Sequence, residues 1–238
     1  MNNRRALLIA LFVTLLVFLV ELAGSYLSGS LALFSDAGHM LTDALALSLA
    51  ILAAYFSALP ADKARTFGFY RLEILSALFN GTLLTLIAIY IFYQAAARFA
   101  APVKIETGMM LAVAVIGLIA NLAAALFLAR SSGNNLNTRG AFLHVLSDAA
   151  SSVGVIIAAL LILLTGWYFL DPLISIFIGL LILYGALNLV SASVNILLEG
   201  APEGIVVAEV AREIKKVPGV KELHDLHVWA ISSGINAA

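Results

Sequence analysis

Long apolar segments separated by short polar breaks make up about the first two hundred residues of the chain. Each segment is long enough, as a helix, to cross the roughly 30 Å hydrocarbon core of a bilayer. The breaks contain Ser, Gly, Asn and Pro, which are typical of turns. The pattern predicts six transmembrane helices, near residues 6–27, 31–58, 72–99, 108–129, 138–165 and 173–197.

The remainder of the chain has a different pattern. Residues 203–217 place apolar side chains at helical spacing among charged ones, which predicts a soluble amphipathic helix that Pro218-Gly219 ends. Alternation over residues 220–231 predicts one strand. Because one helix and one strand cannot bury a core of their own, we expect this tail either to pack on another surface or to be the first part of a longer domain.

The composition is typical of a membrane protein and argues against nucleic-acid binding and cysteine chemistry. The chain of 238 residues is 63% hydrophobic and 11% charged, and its mean hydropathy is +1.06, whereas soluble domains are about 25% charged. Its net charge is −1, with no basic block of the kind that binds nucleic acid. The chain has no cysteine, so disulfides, thiolate metal ligands and cysteine nucleophiles are excluded.

The distribution of Lys and Arg predicts the orientation. Six spans place both termini on one side, and only Arg98 and Lys104 of the thirteen basic residues then fall on the other. The positive-inside rule makes the crowded side cytoplasmic. The fold class expected is therefore an all-α membrane protein, with a six-span transmembrane domain over residues 1–199 and a partial α+β cytoplasmic domain over residues 200–238.

One five-residue pattern occurs twice inside these apolar segments, as His39-x-x-x-Asp43 and His144-x-x-x-Asp148. An Asp within a membrane span costs about 2.5 to 3.5 kcal/mol on insertion scales, so it calls for a specific role. Residues four apart share a helix face, and the second and fifth spans are antiparallel in the predicted topology. Facing each other, the two pairs would offer two nitrogens and two oxygens, a four-ligand zinc set.

Four motifs in the same order resemble those of the cation diffusion facilitator family, nearest to its bacterial cobalt-zinc-cadmium resistance and zinc exporter branch. They are GSLALFSDAGHMLTD at 29–43, RTFGFYRLEIL at 65–75, LNTRGAFLHVLSD at 136–148 and HDLHVW at 224–229. The resemblance implies a six-span homodimeric metal exporter driven by proton exchange, with a metallochaperone-like cytoplasmic domain. It matches His39, Asp43, His144 and Asp148 to the four transport-site ligands, and His224 to a position that binds metal in some members.

Three further residues have two interpretations each. Asp36 lies three residues before His39 and is either an acceptor behind the metal ligands or a helix-start cap. Glu21 lies in the first span and either lines a proton or cation path or faces water near the outer mouth. His224 is either a metal ligand in the complete cytoplasmic domain or an ordinary surface histidine.

The function predicted is export of zinc from the cytoplasm in exchange for protons, by a multi-pass protein of the cytoplasmic membrane if the source is bacterial. Cd²⁺ and Co²⁺ are further possible substrates, and the partners expected are the lipid bilayer and a second copy of the chain. The alternatives are a membrane-embedded metal-dependent hydrolase and a metal sensor. A hydrolase would need a metal with an open position and a nearby acid or base, and no H-E-x-x-H motif or Ser triad is apparent.

Overall fold

The computed structural model describes residues 3–57, 59–60, 63, 65–131, 136–232 and 234–238. Six long helices coincide with the six predicted apolar segments, with ends that agree to within three residues where both are described. A short helix and two strands follow. The elements are α1 (Asn3–Ser28), α2 (Leu31–Ser57), α3 (Arg71–Ala100), α4 (Thr107–Ser131), α5 (Leu136–Thr165), α6 (Leu170–Leu197), α7 (Val207–Lys215), β1 (Trp229–Ser232) and β2 (Ile235–Ala237).

Five of the long helices are apolar and long enough to cross a membrane within the described residues. They present large apolar side chains such as Leu164 and Tyr184 to the outside, which is the surface that lipid tails favour. The five stretches are Leu11–Ser28, Arg71–Ala100, Thr107–Phe127, Val145–Thr165 and Leu170–Leu197. The helix that is not among them, α2, has 27 residues, and its crossing of the membrane remains a prediction.

A glycine and a serine set the junction between α1 and α2. Gly29 follows the last residue of α1 with φ of +73°, and its N–H donates to the Ser25 carbonyl at 2.9 Å. Glycine adopts this left-handed conformation without the steric cost that a side chain brings, so it is common just after a helix. Ser30 then accepts a hydrogen bond from the Leu33 N–H on Oγ at 3.2 Å and so caps α2.

The first of two compact units comprises Met1–Leu45 and Leu83–Tyr184. Within it α4 packs along both α1 and α5. Two glycines allow the close approach of α1 and α4: a Cβ on Gly24 would lie 2.6 Å from a Val113 methyl group, and one on Gly117 would lie 2.5 Å from Glu21 Oε1. Small residues at such crossings let helices pack tightly in lipid, where van der Waals contact drives association.

The second unit comprises Ala46–Thr82 and Gly185–Ala238. Arg71 in the first turn of α3 donates to Glu199 Oε1 at 2.8 Å, and Ser232 of β1 donates to Glu73 in a short hydrogen bond. Val228, Ala230 and Ile231 are buried. The apolar residues around β1 are therefore covered, which agrees with the first of the two expectations for the tail, whereas Val206 and Val217 are exposed.

The predicted strand over residues 220–231 is wrong for most of its length, because β1 begins only at Trp229. Asp225 has φ of +48°, a left-handed conformation that an extended strand does not contain. A second strand, β2, pairs antiparallel with β1 and was not predicted. The amphipathic helix exists but is shorter than expected, since α7 begins at Val207 and ends at Lys215.

We expect the Gly24→Ala variant to lower the stability of the protein in detergent by about 1 to 3 kcal/mol, because the added methyl group overlaps Val113 and forces the crossing of α1 and α4 apart. The thermal unfolding midpoint of the purified protein measures the effect. Gly185→Ala in α6 is the matched control: this mid-helix glycine is exposed and has nothing within 4 Å of the added Cβ. Equal midpoints for both variants would contradict the proposed packing role of Gly24.

Candidate metal centre

The two ligand candidates on α2 lie one turn apart on the same face. His39 Nε2 is 3.4 Å from Asp43 Oδ2, as expected for positions i and i+4 of a helix. Their side chains are 32% and 20% exposed, respectively. The pair is therefore partly accessible, which a site that loads and releases an ion requires.

The structure brings Asp148 of α5 to this pair. One ligand atom from each of His39, Asp43 and Asp148 lies within 4.8 Å of the other two, although Asp148 is 105 positions further along the chain than Asp43. Zinc binds imidazole nitrogen and carboxylate oxygen at about 2.0 to 2.2 Å. A shift of the side chains by roughly an ångström would therefore let all three residues bind one ion.

The fourth predicted ligand, His144, belongs to α5 one turn before Asp148. Its side chain lies outside the part of the chain that the structure describes. Its role therefore remains a prediction, supported by its position on the same helix face as Asp148.

Asp36 connects the two helices that bear the ligand candidates. Its Oδ1 accepts a hydrogen bond from Ser151 Oγ of α5 at 2.6 Å, and the residue is only 2% exposed. The interpretation as a helix-start cap is wrong, because α2 begins five residues earlier and Ser30 provides its cap. Asp36 is outside the group of three close ligand residues and its hydrogen-bond donor is Ser151, so its role as an acceptor behind the ligands remains a prediction.

Glu21 of α1 is completely buried. The alternative of a water-facing acid is therefore wrong for this residue. Neither of its carboxylate oxygens has a hydrogen-bond partner among the described residues, and Asp36 and Asp148 are near enough to interact with it electrostatically. A buried carboxyl group beside two others is costly when ionised, which keeps the interpretation as part of a proton or cation path open.

A buried carboxylate that the sequence analysis did not single out lies at the start of α6. Asp171 is fully buried and accepts hydrogen bonds from three donors at the first turn of α2: Ser30 Oγ at 2.5 Å, Leu31 N at 2.8 Å and Ala32 N at 3.1 Å. Arg98 of α3 donates to it at 3.0 Å. The sequence feature that could have pointed to Asp171 is an acid next to Pro172 at the beginning of an apolar run. The same combination also occurs at ordinary helix starts.

His224 is exposed, and its Nε2 lies 2.9 Å from Glu222 Oε2. Within the described residues it does not belong to a group of three potential metal ligands. The interpretation of His224 as a ligand thus receives no support from its surroundings in this chain.

Comparison with known proteins identifies the family of the chain. The family described as "Cation efflux transmembrane domain" matches residues 7–198. The chain belongs to the cation efflux family. The resemblance to cation diffusion facilitators that the sequence motifs indicated is thereby confirmed.

Three relatives cover almost the whole chain. The "Cadmium, cobalt and zinc/H(+)-K(+) antiporter" of Bacillus subtilis is 45% identical over 99% of this chain and 76% of its own length. The "Metal cation efflux system protein CzcD" of Cupriavidus metallidurans is 48% identical over 98% of this chain and 74% of its own. The "Zinc transporter ZitB" of Escherichia coli is 49% identical over 97% of this chain and 74% of its own.

Family membership also decides the question of enzyme activity. Cation efflux proteins are transporters and not enzymes, and the three relatives carry transporter, antiporter or efflux names. The alternative of a membrane-embedded hydrolase is therefore wrong. The close group formed by His39, Asp43 and Asp148 is therefore a candidate site for a transported ion.

If Asp148 is a metal ligand, we expect Asp148→Ala to weaken equilibrium zinc binding to the purified protein in detergent by more than the roughly 10 to 100-fold that loss of a group behind the ligands costs. Calorimetric titration measures the affinity. Ser152→Ala, one turn further along α5, is the control, since the Ser152 hydroxyl donates only to its own helix, at the Asp148 carbonyl. Unchanged zinc affinity in Asp148→Ala would remove this residue from the site.

Proposed function

We propose that this cation efflux protein exports Zn²⁺ from the cytoplasm in exchange for protons, and that His39, Asp43, His144 and Asp148 bind the ion during transport. The observation that carries the proposal is the approach of His39, Asp43 and Asp148 to within 4.8 Å from two apolar helices. The printed names of relatives that are 45 to 49% identical, which include zinc, cadmium and cobalt, support the same substrate class.

The donor set supports zinc and its neighbours over harder ions. Imidazole suits zinc, cobalt, nickel and copper, whereas all-oxygen sites suit magnesium, calcium and manganese. Two histidines with two carboxylates complete a tetrahedral shell of the kind zinc prefers. Cd²⁺ and Co²⁺ are accordingly the further substrates we propose.

The same residues provide a chemical reason for proton exchange. Zinc binding requires a neutral imidazole and an ionised carboxylate, so an ion that enters the site displaces protons. Protons that arrive from the other side compete for the same atoms and release the metal. The name of the Bacillus subtilis relative includes both H⁺ and K⁺, and for this chain we propose the proton as the counter-ion.

The proposed arrangement in the membrane has six spans, with α2 among them, and both termini in the cytoplasm. The distribution of basic residues supports this orientation. Residues 200–238 would form the cytoplasmic part, and two copies of the chain would assemble as a homodimer in the cytoplasmic membrane of a bacterium.

We expect inverted membrane vesicles containing the wild-type protein to accumulate zinc when a proton gradient is imposed, and vesicles containing Asp43→Ala to accumulate none above the empty-vesicle background. The reason is that one of four ligands is lost from a shell that must hold the ion in apolar surroundings. A zinc-sensitive dye inside the vesicles measures uptake. Immunoblotting for equal insertion is the control, and undiminished uptake by Asp43→Ala would contradict the site.

We expect the wild-type protein to transport zinc in strong preference to manganese, and His39→Asp to relax this preference by raising manganese transport relative to zinc. The change replaces a borderline nitrogen ligand with a hard oxygen ligand. Competition between the two metals for uptake into the same vesicles measures the ratio. Wild-type vesicles that take up manganese as readily as zinc would contradict the proposed donor set.

A further inference from the structure

The first turn of α2 is held by a single carboxylate from another helix. Asp171 Oδ1 accepts from Ser30 Oγ at 2.5 Å and from the Ala32 N–H at 3.1 Å, while Oδ2 accepts from the Leu31 N–H at 2.8 Å. The first N–H groups of a helix have no partner within the helix. Asp171 satisfies two of them and thereby attaches the beginning of α2 to the beginning of α6.

Arg98 completes this attachment from α3. Its Nη1 donates to Asp171 Oδ2 at 3.0 Å and to the Gly29 carbonyl at 2.6 Å. Asp171 is fully buried and the Arg98 side chain is 20% exposed, so the guanidinium neutralises a charge that water does not reach. When one member of such a pair is removed, the other remains as an uncompensated charge.

Ser28, the last residue of α1 at the same junction, is also bonded to another part of the chain. The Glu106 N–H, just before α4, donates to the Ser28 carbonyl at 2.9 Å. The turn between α1 and α2 is therefore bound to the ends of three other helices, α3, α4 and α6. We refer to Ser30, Arg98 and Asp171 as the junction clamp.

The clamp acts at the end of a helix that leads directly to the metal centre. His39 lies nine residues after Ser30 in the uninterrupted helix α2, a rise of about 14 Å. Between them, Asp36 accepts the hydrogen bond from Ser151 of α5. The contacts of the junction clamp restrain the sliding of α2 along its own axis and its rotation about that axis. The Asp36–Ser151 hydrogen bond restrains the distance between α2 and α5, the helix that bears Asp148.

We propose that Asp171 and Arg98 are positioning residues for the metal centre: by holding the first turn of α2, they set the register at which His39 and Asp43 meet Asp148. The inference rests on the proposed function, because it concerns the same ion site. Neither residue contacts the ion. Displacements of about an ångström are enough to impair a site that depends on exact geometry.

The test measures zinc affinity per folded protein, together with the KM for zinc in vesicles. Asp171→Asn keeps the shape of the side chain but offers one acceptor oxygen where Asp offers two, and it leaves Arg98 without its counter-charge. We expect the dissociation constant for zinc to rise about 10 to 100-fold, as for other groups that orient ligands without binding metal. Ser30→Ala removes one hydroxyl of the clamp only, and we expect a smaller rise in the same direction.

Variants of Arg98 separate positioning from a general loss of folding. Arg98→Gln removes the cation, and we expect it to weaken zinc binding as Asp171→Asn does. Arg98→Lys keeps a cation that can donate to both Asp171 and the Gly29 carbonyl, and we expect it to restore at least half of the lost affinity on a logarithmic scale. A residue needed only for folding would change the yield of folded protein and leave the affinity of the folded fraction unaltered.

Two matched controls are available in the chain. Ser35→Ala removes a buried hydroxyl one turn further along α2 that donates only to the Leu31 carbonyl of its own helix. Arg71→Gln breaks an arginine–carboxylate pair of the same kind, with Glu199, that lies in the second unit and is exposed. We expect both controls to keep the wild-type affinity to within about threefold, because the Ser35 hydroxyl donates within its own helix and an exposed pair such as Arg71–Glu199 contributes little.

The outcomes distinguish this inference from the proposed function. A wild-type protein that binds no zinc overturns the proposed function and the inference with it. If the wild type binds zinc and Asp43→Ala does not, but Asp171→Asn, Ser30→Ala and Arg98→Gln bind like the wild type, the inference alone is overturned. If Asp171→Asn does not fold, Ser30→Ala and the two Arg98 variants decide the question.

Discussion

Ionisable groups within apolar helices must be neutralised or bonded because little water reaches them, and this constraint accounts for the polar contacts that Asp36 and Asp171 make between helices. Asp171 meets it with Arg98 and the free N–H groups of α2. Asp36 meets it with the hydroxyl of Ser151. His39, Asp43 and Asp148 lie together, and in the proposed function a metal ion or protons balance their charge.

Close packing of the helices makes these contacts possible. Gly24 and Gly117 leave α1 and α4 no room for a further methyl group at their crossing, and α4 also packs along α5. Van der Waals contact of this kind holds helices together in lipid, where the hydrophobic effect between spans is absent. Hydrogen bonds and ion pairs between helices then specify which turn of one helix lies beside which turn of another.

The arrangement suits an ion carrier because α2 has supporting contacts both to α5, which bears Asp148, and to other helices. The first turn of α2 is attached to α3 and α6, its second turn is attached to α5, and the ligand candidates follow in its next two turns. Two contacts, one at the first turn of α2 and one at Asp36, thus hold this helix on the N-terminal side of His39 and Asp43.

The sequence by itself determined the six long helices and the pairing of His39 with Asp43, because helix length and the i to i+4 spacing are local properties. It also indicated the family through four short motifs, which the comparison confirmed. Only the tertiary structure decided the partners of Asp36 and Asp171: Ser151 lies 115 residues from Asp36, and Ser30 and Arg98 lie 141 and 73 residues from Asp171. It also decided the interruption of the predicted strand at Asp225. Periodicity along a chain reports which face of an element is apolar, whereas the choice of a distant hydrogen-bond partner depends on how the helices pack.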